Sequence, residues 1–529
     1  MGKQVELYSK TLVKINPGEV PRRIDLADIA LRLGKVKPAE KDDEAVTKGQ
    51  MESAIKAADY IPYEDTNYRL VQANGTVVEN GTALLVAIAA AKLLTPNGSA
   101  LSATNRAVVY LLVGTYNLDS SDIALGNYVD IIGIGDVKDI TITSTNTTGT
   151  IQIANTNNYV LKNLTISNSG SGGSITHNAS QTDNGIWENL ILNAANTFDT
   201  TFTGDYSYIT GVVSNILNGS ITGKVYKSSF QESSCGSGTA DIVISGTIKD
   251  CVSLSFCFGY STIGNVTISG NIKNCDGLDY CFGVTVATST ISGLIDNCSA
   301  IDYSFGYGSS IVTISGTIKN CSVTGIRGFG WMGFGGTCTI SGTILSCNST
   351  TDSFGSGAGI INITSNAIIL DCIATGKSFG YSSLNNVSIA GKIQRCISQD
   401  NSFGSVTTGG TPSISGIVQD CIGTTLCFGN TTSTGKLINC TRTSGYGVHL
   451  GTIERCSFSE NDAVNPVLTV GAGVIVKYST IYQAGAAECI DGGAISASIY
   501  HCSMNKDIKV SITNIIGTPA NVVDADIII

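Results

Sequence analysis

Seventeen cysteines are the residues in this chain most able to do chemistry, and eight of them recur in phase. Cys251, Cys275, Cys298, Cys321, Cys347, Cys372, Cys396 and Cys421 follow one another with a period of about 24 residues. Each closes a variant of "ISGTIKNC", the form seen at 314–321. A recurrent cysteine could ligate a metal, act as a nucleophile, pair as a disulfide or pack. The total is odd, which disfavours a fully paired framework, and a disulfide needs a particular pairwise geometry that a uniform series does not supply. Three repeats carry C-x5-C (251/257, 275/281 and 421/427), while Ser304, Ser353, Ser378 and Ser402 take the second position elsewhere. Exchange with serine suits a small buried side chain rather than a metal ligand, so the series reads as packing.

Other chemistry is sparse. The three histidines, His177, His449 and His501, are scattered without ligand spacing. A glycosidase needs only two carboxylates at the right separation. Asp276 with Asp279, Asp296 with Asp302, and Asp183 with Glu188 around Trp187 are loose candidates that read first as solvated surface. No catalytic residue, metal site or cofactor is assigned. The residue after a recurrent Phe-Gly pair is Tyr260, Tyr307, Trp331 or Tyr381 in four repeats, with Tyr280 and Tyr303 just before the same corner. These six rings are candidates for an exposed stripe on which saccharide faces stack. Simple alternation would instead place them in the core or a subunit interface.

The elements that carry these residues follow from the period. Phe-Gly pairs begin at Phe258, Phe282, Phe305, Phe329, Phe354, Phe379, Phe403 and Phe428, seven residues after each cysteine and once eight. Each repeat holds three short pieces rich in β-branched residues, too short for helices. Three short strands per turn of about 24 residues describe a parallel β-helix. A leucine-rich array would need recurrent Leu and a helical arm, and propeller blades are longer. Equivalent residues should stack at about 4.8 Å, giving an inner Phe column beside a Cys column over roughly 17 coils and about 80 Å. Asp250, Asn274, Asn297, Asn320, Asp371, Asp420 and Asn439, each just before a cysteine, are expected to form a turn ladder.

Charged residues make up 14% of the 529 and the net charge is −10, which argues against nucleic acid as the partner. The opening "MGKQVELYSKTLVKINPGEV" is polar and reads as no signal peptide. The apolar run "TALLVAIAAAKLL" (82–94) falls short of a membrane span and is expected to be a buried helix N-capped by Thr82 that covers the first coil. The expected fold is all-β: a single-stranded right-handed parallel β-helix over 105–505, after a partly helical N-terminal region (1–60) and a linker with the capping helix (61–104). A short C-terminal cap or subunit contact (506–529) closes it.

"VVYLLVGTYNL" followed by "VDIIGIGDVKDITI" resembles the opening of pectin-lyase-like β-helices. "KPAEKDDEAVTKGQMESAIKAA" (37–58) resembles a segment of bacteriophage tail-fibre and tailspike proteins, in which an Asp-rich turn leads through Thr-Lys into a helix at a trimer axis. The matching residues are Asp42, Asp43, Ala45, Thr47 and Lys48, with Gly49-Gln50-Met51 where that family has Tyr-Val. The resemblance implies a homotrimeric virion fibre or spike, made in the host cytoplasm, joined to other virion proteins through 1–60 and binding host-surface polysaccharide. A polysaccharide depolymerase is the alternative it leaves open, and a bacterial adhesin a further one.

Overall fold

The computed structural model describes residues 13–14, 22–23 and 67–516, apart from 154–157, 178–181, 195–199, 212–216, 218, 232, 334, 426, 430, 433, 445–447, 462–463, 486–488 and 506–507. Of the expected anchor at 1–60, only Val13–Lys14 and Arg22–Arg23, paired antiparallel, are described. The Asp42–Lys48 motif and the helix expected from Gln50 lie outside the described residues. The chain divides into two compact units, residues 1–171 with 184–190, and 172–183 with 191–529. Both are built from parallel β-coils.

In the first unit, Tyr68–Val71 pairs in parallel with Ala107–Leu112, which pairs with Val129–Ile134 and then Val160–Asn168. Parallel pairing therefore begins at Tyr68, ahead of 105. Between the first two strands runs helix α1, Val77–Ala91. Its N-cap is Thr76, not Thr82: the Thr76 hydroxyl accepts from the Glu79 amide while the Glu79 carboxylate accepts from the Thr76 amide. This reciprocal capping box starts the helix before the apolar run does. Thr82, one turn in, donates to the Val78 carbonyl at 3.0 Å. Leu84, Ile88 and Ala91 are buried, and a Cβ on Gly81 would lie 1.9 Å from the Asn117 carbonyl oxygen. Glycine there lets α1 sit directly on the coil backbone. Counted through the short turn to Gly98, the helical segment spans 22 residues, enough by length and composition to cross a membrane. The α-helix itself is 15 residues, below the roughly 20 a span needs, and one face is packed on the coil.

The second unit holds the regular coils. One of them runs Ile311–Ile314, Thr317–Lys319, Ser322–Val323 and Trp331–Met332, so each turn has four strands rather than three. The extra break falls within "ISGTI". Gly316 is needed there because a Cβ would lie 2.1 Å from the Gly293 carbonyl oxygen of the preceding coil. Close approach between coils, not turn freedom, fixes this glycine. Ile295, Ile318, Ile344, Ile369 and Ile393 are successive partners in register, each one period from the last. The step shortens from Val418 to its partner Leu437, and again from Leu437 to Ile453. At the C-terminal end, Ile508–Ile516 pairs in parallel with Ile490–Tyr500, continuing the coil pattern; residues 517–529 lie outside the described residues and no separate cap is seen among those described.

Two inner columns and one turn ladder hold these coils. The eight phenylalanines from Phe258 to Phe428 are fully buried, with neighbouring ring centroids 4.7–5.2 Å apart and planes within 1–19°. All eight adopt left-handed backbone, φ 44–62°. For a bulky residue that conformation costs about 1–2 kcal/mol. Burying a Phe returns about 1.5–3 kcal/mol and stacking about 0.5–1.5 more, so packing wins. All seventeen cysteines are buried free thiols. Those of the main series donate to the carbonyl two residues back, as Cys321 does to Lys319 at 3.0 Å and Cys372 to Leu370 at 3.2 Å. Burial pushes the Cys235 and Cys281 thiols up, and those of Cys338 and Cys427 up to about 12.

The serine–cysteine exchange has a specific cause. In the second column the hydroxyl or thiol accepts an amide from the preceding coil: the Ser234 amide donates to Cys257 Sγ (3.2 Å), that of Cys281 to Ser304 Oγ (3.3 Å) and that of Ser353 to Ser378 Oγ (3.0 Å). The position needs a small acceptor, not merely a small side chain. Asp250, Asn274, Asn297 and Asn320 take left-handed φ of 52–56°. Asn274 Nδ2 donates to Asp250 Oδ1 at 2.7 Å and Asn297 Nδ2 to Asn274 Oδ1 at 3.0 Å, the ladder expected of them.

Candidate functional site

Around the four Phe-Gly corners from Phe258 to Phe329 the chain makes two left-handed turns two residues apart, whereas at Phe354, Phe379 and Phe403 only the turn at the Phe is left-handed. Phe256, Tyr280, Tyr303 and Arg327 occupy the first, at φ 49–59°, and the inner phenylalanines the second. The intervening residue, Cys257, Cys281, Ser304 or Gly328, is buried, and the first-turn side chains are left half-exposed. Gly330 and its equivalents follow with φ near +80°, a conformation only glycine holds without strain, and feed the short strand that begins at Tyr260, Val284, Tyr307 or Trp331.

Two columns of half-exposed rings result. In one, Phe256 stacks on Tyr280 (5.1 Å, 16°) and Tyr280 on Tyr303 (4.7 Å, 8°). In the other, Tyr307 stacks on Trp331 (5.2 Å, 10°), while Val284 separates Tyr260 from Tyr307. The columns meet edge to face: Tyr260 with Tyr280 at 71°, Tyr303 with Tyr307 at 79° and Tyr280 with Tyr307 at 87°. The Arg327 guanidinium lies 4.3 Å over Trp331 and 5.6 Å from Tyr303. Burial raises the phenols of Tyr260, Tyr280 and Tyr307, so these hydroxyls stay neutral donors.

Five of the six aromatic candidates are therefore brought together: Tyr260, Tyr280, Tyr303, Tyr307 and Trp331. Tyr381 is apart, 3% exposed, its hydroxyl 3.0 Å from Thr407 Oγ1. The Ser356 position between Trp331 and Tyr381 interrupts the column. Phe256 and Arg327 also belong to the platform, although no sequence motif marks them. Their signal is positional, two residues before the recurrent Phe, a register easily passed over because the residue type there varies.

The carboxylates separate in the same way. Asp276 accepts from Ser299 Oγ at 2.5 Å, Asp296 pairs with Lys319 at 3.3 Å and Glu188 with Lys162 at 2.7 Å. Asp183 is fully buried against His177 Nε2 at 2.9 Å. The carboxylates placed on adjacent coils are instead Asp279 and Asp302, whose backbones bridge in parallel directly before Tyr280 and Tyr303. Burial, and then the Asp302 charge, raises Asp279 above the usual carboxylate range. Its Oδ1 is buried without a hydrogen-bond partner, whereas Asp302 accepts the Ile326 amide. A polar depression of about 220 Å³ lies along the turn ladder, lined by Asn274, Asp276, Asn297, Ser299, Asn320 and Ser322. Several of these side chains are already bonded to one another or to neighbouring ladder residues. Among the described residues, no group of three His, Cys, Asp or Glu side chains is placed to hold a metal ion.

Chemically, the ring platform can take the apolar faces of sugars, with phenol hydroxyls, Arg327 and the two aspartates at hand for polar groups. Comparison with protein families, with curated proteins and with solved structures finds no match to this chain.

Proposed function

We propose that the chain is the β-solenoid of a bacteriophage fibre or spike that binds host-surface glycan on the half-exposed aromatic platform around Tyr280, Tyr303, Tyr307 and Trp331. The observation that carries this reading is that the half-exposed rings, with the left-handed turn that presents them, are confined to the coils from Phe256 to Trp331, while parallel strand pairing continues beyond them. Parallel coils form without those rings, and a saccharide stacked on them would account for their exposure. A stiff parallel solenoid suits a fibre or spike, and the segment at 37–58 supports assembly as a homotrimer on a virion, joined to other virion proteins through residues 1–60. Fold alone does not give that assignment.

Binding of the full-length protein to surface polysaccharides of candidate host bacteria tests it. Tyr303→Ala with Trp331→Ala should lower affinity at least tenfold with the melting temperature nearly unchanged; an unchanged affinity would sink the reading. Mass in solution tests the trimer, and a monomer at micromolar concentration would remove it. The neighbouring Asp279 and Asp302, one of them with a raised pKa, favour a second reading as a depolymerase. Shortening of polysaccharide chains on incubation, abolished by Asp279→Asn, would establish it.

A further inference from the structure

Arg327 is the one residue of the platform that is neither apolar nor neutral. It occupies the register held by Phe256, Tyr280 and Tyr303 in the preceding coils, so its guanidinium continues a ring column in place of a ring. It lies over Trp331 and beside the Tyr307 hydroxyl. With its faces in contact and an N–H directed at the Tyr307 hydroxyl, the remaining N–H groups of the fork are the part available for a partner. Several surface cations of this unit are matched, Arg395 with Asp371, Arg455 and Lys477 with Glu454, and Lys319 with Asp296. No carboxylate among the described residues forms an ion pair with Arg327. Asp352, on the next coil, feels its charge, but Asp352 Oδ1 accepts the Lys377 amide at 2.9 Å.

We propose that the platform binds a saccharide bearing a carboxylate, such as a uronic acid, with that carboxylate on the Arg327 fork and the sugar face on Trp331. This rests on the glycan-binding reading above and names the ligand class. A planar carboxylate accepts two parallel N–H bonds from one guanidinium. One guanidinium on the ring platform, with Asp352 between it and Lys377, in a chain of net charge −10, suits a monoanion better than a doubly charged phosphate ester. Asp279 and Asp302 lie toward the other end of the platform, before Tyr280 and Tyr303. They would repel a second carboxylate there, so the acidic sugar is oriented toward Trp331 and neutral units extend over Tyr280.

The test uses acidic bacterial surface polysaccharides, each presented native and after chemical reduction of its carboxyl groups to alcohols, against full-length wild type, Arg327→Gln and Trp331→Ala. Wild type should bind a native acidic glycan at least tenfold more tightly than its reduced form. Arg327→Gln should bind both forms alike, at the wild-type affinity for the reduced one, and Trp331→Ala should weaken both. Equal wild-type affinity for the two forms, or a preference that survives Arg327→Gln, overturns the acidic ligand while leaving glycan binding intact. No binding by wild type to either form overturns both. A second copy of the chain is the other possible occupant: Trp187 is fully buried and Trp331 half-exposed, so acrylamide quenching reports chiefly on Trp331. Quenching that falls as protein concentration rises would assign the platform to a subunit contact and overturn the proposal.

Discussion

Two aromatic columns run side by side in this protein, two residues apart in sequence. The inner one, Phe258 to Phe428, and the outer one, Phe256–Tyr280–Tyr303, stack at nearly the same spacing, 4.7–5.2 Å and 4.7–5.1 Å. That spacing is set by strand pairing and says nothing about purpose. Their lengths differ. The inner column continues through eight coils because every coil needs its interior filled; the outer stops after three rings and gives way to Arg327, then to Asp352 and Lys377, where the first left-handed turn is lost. A feature imposed by the fold repeats with the fold. One that ends while the coils continue has some other cause, and this is why the outer rings, and not the cysteines, are the better place to look for function.

Deleting one ring from each column should separate them most. Phe329→Ala opens a cavity between Phe305 and Phe354 and should cost about 3–5 kcal/mol in denaturant unfolding, whereas Tyr303→Ala, half-exposed, should cost less than about 1 kcal/mol. Equal losses would mean the outer column is structural after all.

The inner column also has an end. Beyond Phe428 the rings lose register, with Phe458 at 5.9 Å and 34°, and fully buried Arg442 lies 4.8 Å over Phe458. His449 is buried there too, and burial, with the Arg442 charge, holds its imidazole down to about 3. The unfolded chain, with an ordinary pKa near 6.5, takes up that proton first. Stability from keeping His449 neutral is therefore complete above about pH 6.5 and is lost as pH falls toward 3, by about 1.4 kcal/mol per pH unit. Unfolding midpoints measured from pH 7 to 4 should fall more steeply for wild type than for His449→Gln; parallel curves would show that His449 is not kept neutral.

A smaller effect tests the turn ladder. Asn297→Ala removes the bond to Asn274 and places alanine at φ 53°, and should cost about 1–2 kcal/mol in the same assay. The smallest effect sharpens the outer column itself. Arg327→Tyr extends it by a ring over Tyr303 and should raise stability by about 0.5–1 kcal/mol, while removing the preference for acidic glycan.

Much of this was legible in the sequence because repetition converts one-dimensional spacing into three-dimensional stacking. In a parallel coil a residue's partner is the residue one period away, so the Phe, Cys and Asn columns followed directly from counting. Helix α1 was legible as apolar, but its start was not: Thr82 heads the hydrophobic run, while the capping box at Thr76 and Glu79 lies in the polar stretch before it. The fourth strand was hidden because Ser315-Gly316 reads as a bend inside one strand. Its cause, the Gly293 carbonyl at the place of a Gly316 Cβ, is a contact between successive coils.

Sequence alone, then, determined which residues share a column, since the period fixes that. Tertiary structure decided which way each column faces. Phe258 and Phe256 are the same residue type in the same local left-handed geometry, yet one is fully buried and the other half-exposed. Two successive turns around a single inward Cys or Ser rotate one ring into the core and the other toward solvent, and no propensity of phenylalanine encodes that choice. The same rotation brought Arg327 onto Trp331, while Tyr381 is separated from the rings it resembles by the Ser356 coil.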